Sequence, residues 1–182
     1  MDENSIKIKF DIARKKINEK DFQQAKILFK EIIKEDPNHF GALFLLGTIY
    51  GMLDNFDLAI ECLLSAIAVN KDNINAHFNI AQLYKKNKNI AKSKKHLQSV
   101  LEIKPDHIET ICTLGQILEE ENNFEDAKKR YEEGLKIDPN SKLASQLYGK
   151  FLFKVNEHEK ALEYTRIGSG FVRFTNDKFK II

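Results

Sequence analysis

Five histidines, two cysteines and one carboxylate-rich run are the residues of this chain able to carry chemistry. Cys62 and Cys112 form no Cys-x-x-Cys pair and are too few for a disulfide framework, so both are read as free, buried or half-buried thiols. The run Glu119 to Asp126, EEENNFED, offers the oxygen ligands that calcium takes, but not at calcium-loop spacing. It is read as a solvated helix end. His39, His77, His96, His107 and His158 are scattered and are expected to form no site, with His77 a satisfied core histidine. No Gly-rich phosphate loop, His-Glu-x-x-His or Gly-x-Ser-x-Gly occurs. Catalysis requires convergent titratable groups, and none are legible; the chain is expected to be no enzyme and to hold neither cofactor nor metal.

The basic stretch Tyr84 to His96, YKKNKNIAKSKKH, holds lysines that can neutralise phosphates and a tyrosine that can stack on a base. No comparable run continues elsewhere as a basic stripe requires, so it is read as a solvated patch and no nucleic-acid partner is expected. The net charge of +2 hides such local blocks and discriminates little. The opening MDENSIKIKF is acidic where a secretory signal is positive, and no window approaches the ~18 apolar residues of a membrane span. The expectation is a soluble, cytoplasmic protein without membrane contact.

The elements that would position these groups follow from a period. EDPN at Pro37, IKPD at Pro105 and IDPN at Pro139 are 68 and 34 residues apart, one or two steps of a repeat. Stacking the chain at that step gives repeats starting near Ile6, Phe40, Ile74, Ile108 and Lys142. The eighth position reads Ala13, Gly47, Ala81, Gly115, Gly149 and the twentieth Ala25, Ala59, Ser93, Ala127, Ala161. Small side chains at both places let two helix backbones approach, as an antiparallel helical hairpin needs. Core columns such as Ile12, Leu46, Ile80, Leu114, Tyr148 recur at helical spacing. Polar turns divide each repeat, and proline ends it.

Leu46, Gly47, Tyr50, Phe56, Ala59 and Ala66, repeated as Leu114, Gly115, Phe124, Ala127 and Pro139, resemble the tetratricopeptide repeat. The resemblance covers roughly residues 6 to 168 and departs at the ends, with Lys9 and Lys16 in the first repeat and Ser145 in the fifth. It implies an all-α, right-handed superhelical solenoid of about five helix-turn-helix repeats over residues 1–168, at 6–39, 40–73, 74–107, 108–141 and 142–168. The tail, 169–182, alternates apolar and polar residues around Asn176-Asp177 and reads as a short hairpin or as the start of a missing domain.

The resemblance further implies that positions two, five, nine and twelve of each first helix face a concave groove. The stretch FGALFLLGTIYG, Phe40 to Gly51, has no charge because one side is core and the other an uncharged groove floor. The fifth position begins as the ladder Phe10, Phe44, Phe78 before Cys112, and the ninth is polar with Arg14, Thr48, Gln82 and Gln116. With Asn79 and Lys85 these form the expected peptide-binding set, suited to an adaptor or scaffold that grips a segment of a partner protein. Lys85 and Glu119, in the twelfth column, are read as a pair or as selectors of a partner's charge. A two-carboxylate clamp for acidic chaperone tails is not expected, because its places hold Phe10, Arg14, Leu45, Asn75 and Asn79. The alternatives are a self-associating spacer, its groove filled by the tail or a second copy, and the non-catalytic arm of a larger enzyme.

Overall fold

The computed structural model describes residues 3–169, 172–175 and 178–181. Each 34-residue step folds as a helical hairpin: α1 (Glu3–Asn18) with α2 (Phe22–Glu35), α3 (Phe40–Met52) with α4 (Phe56–Val69), and α5 (Ile74–Lys86) with α6 (Ile90–Ile103). The pattern continues through α7 (Ile108–Glu120) with α8 (Phe124–Ile137) and α9 (Lys142–Lys154) with α10 (His158–Ser169). Two strands, β1 (Val172–Thr175) and β2 (Lys178–Ile181), pair antiparallel with Val172 opposite Ile181 and Thr175 opposite Lys178. The Asn176-Asp177 turn lies outside the described residues.

The turns inside the hairpins share one device. Lys20, Asp54, Lys88, Asn122 and Asn156, one per repeat, all have positive φ between 57° and 63°. Just beyond each, a backbone N–H reaches back five residues to a carbonyl, as from Asp21 to Lys16, Asn55 to Tyr50 and Asn89 to Tyr84. These bonds close the first helix in Schellman fashion. The donating residue then starts the second helix, and Asp21 and Asn123 accept from its backbone N–H groups through their side chains.

The chain divides into two compact units, Met1–Ile103 and Lys104–Ile182. The core of the N-terminal unit runs through Phe29, Ile32, Leu46, Tyr50, Leu63 and Ile80. The small columns do what their size predicts: a Cβ on Gly47 would lie 2.8 Å from Leu63 Cγ and 3.1 Å from the Ala59 carbonyl oxygen. Ser93, which replaces alanine in the twentieth column, is buried and satisfied, its hydroxyl donating to the Ala81 carbonyl at 2.8 Å. Lys9 departs from the core pattern without cost because its ammonium meets Glu31 and Glu35 on α2, each at 3.0 Å. The outward face of α4 is unusual, with Leu58 and Leu64 exposed where α8 carries Asp126 and Glu132.

The C-terminal unit packs Tyr131, Tyr148, Phe151 and Leu152 into its own core. Its tyrosines stay satisfied: Tyr131 donates to Glu119 Oε2 at 3.0 Å, and Tyr148 to Glu132 Oε1 at 2.8 Å. Glu119 also accepts from Lys154 at 3.1 Å, so each of its oxygens has a partner within this unit. Ser145 is an exception, since its hydroxyl is fully buried and has no hydrogen-bond partner among the described residues. Leaving a hydroxyl unsatisfied costs about 1–3 kcal/mol. Ser145→Ala is therefore expected to stabilise the protein by about 1 kcal/mol, read as a raised urea midpoint at unchanged slope.

Candidate functional site

The first helices of the N-terminal unit, α1, α3 and α5, carry eight of the ten expected contact residues: Phe10, Arg14, Phe44, Thr48, Phe78, Asn79, Gln82 and Lys85. Arg14 is exposed and the other seven are half-buried. The ladder is thus partly structural. Phe10 packs edge-on against Phe29 with centroids 5.8 Å apart, and its ring lies where a side chain on Gly41 would be, 2.7 Å from an added Cβ. Gly41 therefore makes room for a ring from the preceding repeat. Phe44 stacks on Phe40 at 5.8 Å and 14°.

Cys112 and Gln116 belong to the C-terminal unit. Gln116 is half-buried, but the expectation that Cys112 lines a groove is corrected: it is 0% exposed, with its sulfur beside Gly134 in the core that also holds Ala144. A small apolar residue in a contact column is equally suited to the interior, and packing decided this one. Burial raises the Cys112 thiol to about 12 and the Cys62 thiol to about 11. Alkylation requires the thiolate. Iodoacetamide at pH 8 is expected to label native Cys112 at least about a hundredfold more slowly than the guanidinium-unfolded chain, as read by mass spectrometry.

A pocket of about 190 Å³ opens between α3 and α5. Leu63 and Leu83 form its floor, and the α3 backbone at Gly47 and Gly51 forms its wall. Thr48, Asn79 and Gln82, all expected contact residues, line it together, with Met52 and Lys86 at its edge. The hydroxyl of Thr48 donates to the Phe44 carbonyl at 2.9 Å, which leaves its lone pairs to accept. The wall is legible in hindsight: the twelfth column reads Ile17, Gly51, Lys85, Glu119, Phe153, so glycine occurs there in the second repeat alone.

His77 is the satisfied core histidine expected of it, and the unexpected part is its partner, a second histidine. His77 is buried on α5 and His96 half-buried on α6, and their Nδ1 atoms lie 3.1 Å apart. His77 Nε2 is 3.0 Å from the Lys71 carbonyl, which can only accept, so Nε2 carries the proton and His77 Nδ1 is the acceptor. His96 Nδ1 must then be the donor. The Tyr84 ring stacks on His96 at 5.8 Å, and the Lys92 ammonium lies 5.2 Å from the Tyr84 centroid. Burial, His77 and Lys95 lower His96 to about 4. The signal was available, because fourth and twenty-third positions face each other within a hairpin and this repeat alone has histidine at both. His39 and His107, which share an inter-repeat slot, act as helix caps: the Nδ1 of each accepts from a backbone N–H, at 3.1 Å from Ala42 and 3.3 Å from Thr110. Among the described residues no group of three or more His, Cys, Asp or Glu side chains is placed to hold a metal ion, and no helix is long and apolar enough to cross a membrane.

No curated protein matches the chain. Among solved structures, MamA aligns with a TM-score of 0.76 at 22% identity, over 91% of this chain and 90% of MamA. PilF of Pseudomonas aeruginosa aligns with a TM-score of 0.78 at 17% identity, over 95% of this chain and 78% of PilF. YrrB, described as a TPR protein with an unusual peptide-binding site, gives 0.68 at 17% identity, over 89% and 84%. Models of the tetratricopeptide repeat match residues 28–61, 74–107 and 108–141, and a TPR repeat model matches 53–88. The hairpins, their small-residue columns and these matches agree: the repeat array is all-α, and the chain belongs to the tetratricopeptide repeat family.

Proposed function

We propose that the chain is a protein-interaction scaffold that grips an extended or helical segment of a partner protein on the face built by α1, α3 and α5. The observation that carries this reading is the pocket between α3 and α5, whose apolar floor at Leu63 and Leu83 lies beside hydrogen-bonding groups of Thr48 and Asn79. That mixture of apolar floor and a few placed polar groups is what peptide and ligand sites use. Phe10 and Phe44, half-buried like Phe78, pack against the core of this unit, so little entropy is lost when a partner docks on them. Binding, without chemistry on the partner, is the activity. The likeness to YrrB supports a peptide as the ligand class.

Photo-crosslinking tests this directly. Benzoyl-phenylalanine at Thr48 is expected to capture a partner in cells of origin, and the same group at Lys34, exposed on α2, is not. Capture from Lys34 with none from Thr48 would move the working surface to the second helices.

A further inference from the structure

We infer that the Gly51 pocket is an anchor for one aliphatic or aryl side chain of the partner segment, and that the segment carries a carboxylate within two residues of that anchor. This rests on the reading that the α1, α3 and α5 face binds a protein segment, and adds which segment it prefers.

The vacancy is local to one repeat. Ile17, Lys85, Glu119 and Phe153 hold the place of Gly51 in the other four, so in this column only the second repeat lacks a side chain. A Cβ on Gly51 would sit 3.0 Å from Leu83 Cδ2 and 3.8 Å from Ala59 Cβ, which puts apolar surface from two helices directly under the gap. At about 190 Å³ the pocket exceeds the ~150 Å³ apolar cavity that admits benzene, so Leu, Ile, Met or a phenyl ring fits. Met52 at the edge is 61% exposed, and a flexible thioether can fold over whichever side chain enters.

The charge preference comes from the same two helices. Neither α3 nor α5 contains an acidic residue, and the exposed Lys86 stands at the pocket edge. Its ammonium lies 6.0 Å from the Phe56 ring centroid, not in an ion pair with a described carboxylate. Asp54 in the α3–α4 turn and Asp57 in the first turn of α4 line a separate depression with Asn87. A partner carboxylate beside the anchor would therefore meet a cation and no repelling charge on either pocket helix, which steers encounter and selects sequence.

A random 12-residue peptide library displayed on phage, selected against the full chain, is the probe. The expected consensus is Leu, Ile, Met or Phe with Asp or Glu within two positions. Synthetic copies of the consensus are expected to bind Gly51→Leu at least about tenfold more weakly. Lys86→Glu should weaken them about three- to tenfold at low salt and shift selection towards Lys or Arg. Because Gly51→Leu presses on Leu83, Met52→Trp at the exposed edge provides a second block, and circular dichroism checks that all variants fold. Peptides that bind Gly51→Leu and Met52→Trp as they bind wild type, yet are lost on Phe44→Ala, would overturn the anchor and leave the binding face intact. No enriched peptide would overturn both. Dimerisation seen by sedimentation and abolished by Gly51→Leu would make a second copy the occupant and overturn the inference.

Discussion

The thermal midpoint is expected to fall as pH is lowered from 6.5 to 4, and His96→Asn is expected to remove much of that fall. His96 is held neutral in the fold because its half-buried setting, and then His77 on α5 and Lys95 on its own helix, oppose a second proton, while Tyr84 covers one ring face and Lys92 lies beyond it. Its pKa drops from an ordinary 6.5 to about 4. Between those values the unfolded chain binds more protons than the folded one, so stability rises with pH across the window and is lost on acidification. After discounting for partial solvent screening, the loss is roughly 1–2 kcal/mol. Asparagine keeps a donor for His77 Nδ1 and removes the titration. Melts of both proteins at pH 7, 5.5 and 4.5 decide it: parallel curves would assign the acid response elsewhere. Glu19, Asp126 and Glu157, whose pKa values are lowered by their lysine partners, begin to lose their contribution as pH nears their ordinary values of 4.5, 3.8 and 4.5, so they add to the fall only at the acid end of this window and in both proteins alike.

Gly149→Val should cost about 3 kcal/mol or more, enough to unfold a marginal unit. On an exposed helix, replacing glycine by alanine gains about 1 kcal/mol. At Gly149 even alanine is expected to destabilise, because an added Cβ would lie 2.6 Å from Thr165 Oγ1, 3.0 Å from the Thr165 nitrogen and 3.2 Å from the Ala161 carbonyl oxygen. A side chain can rotate away; the α10 backbone can yield only by separating from α9. Gly115 makes the useful contrast, since its nearest neighbours are ring atoms of Tyr131 at 3.0 to 3.3 Å. The ring can tilt, so Gly115→Ala is expected to cost less. Chemical denaturation of the three variants gives the order.

The parts of this protein that were legible are those that recur. Gly47 and Ala59 declared a close helix pair because small residues reappear at the same offsets in every repeat, and no distant information was needed to see it. What escaped was set by a single repeat or by pairing across a hairpin. The Gly51 pocket is a departure from its column, and a columnwise reading averages departures away. The His77–His96 pair joins positions 19 residues apart whose contact depends on the helices' relative rotation. Cys112 was placed by column membership, yet the same column holds a half-buried Phe44, so helical phase alone did not separate wall from core. The left-handed turn residues carry no glycine to announce them; Lys20 and Lys88 adopt that conformation because the Schellman bonds around them outweigh its strain.

Those turns have a kinetic consequence. Each hairpin is closed by bonds spanning five residues, and the helices pack chiefly on their neighbours in sequence. Low contact order of this kind goes with folding in microseconds to milliseconds, since little loop entropy is lost before native contacts form. A nascent repeat can close its own turn before the next one has been synthesised.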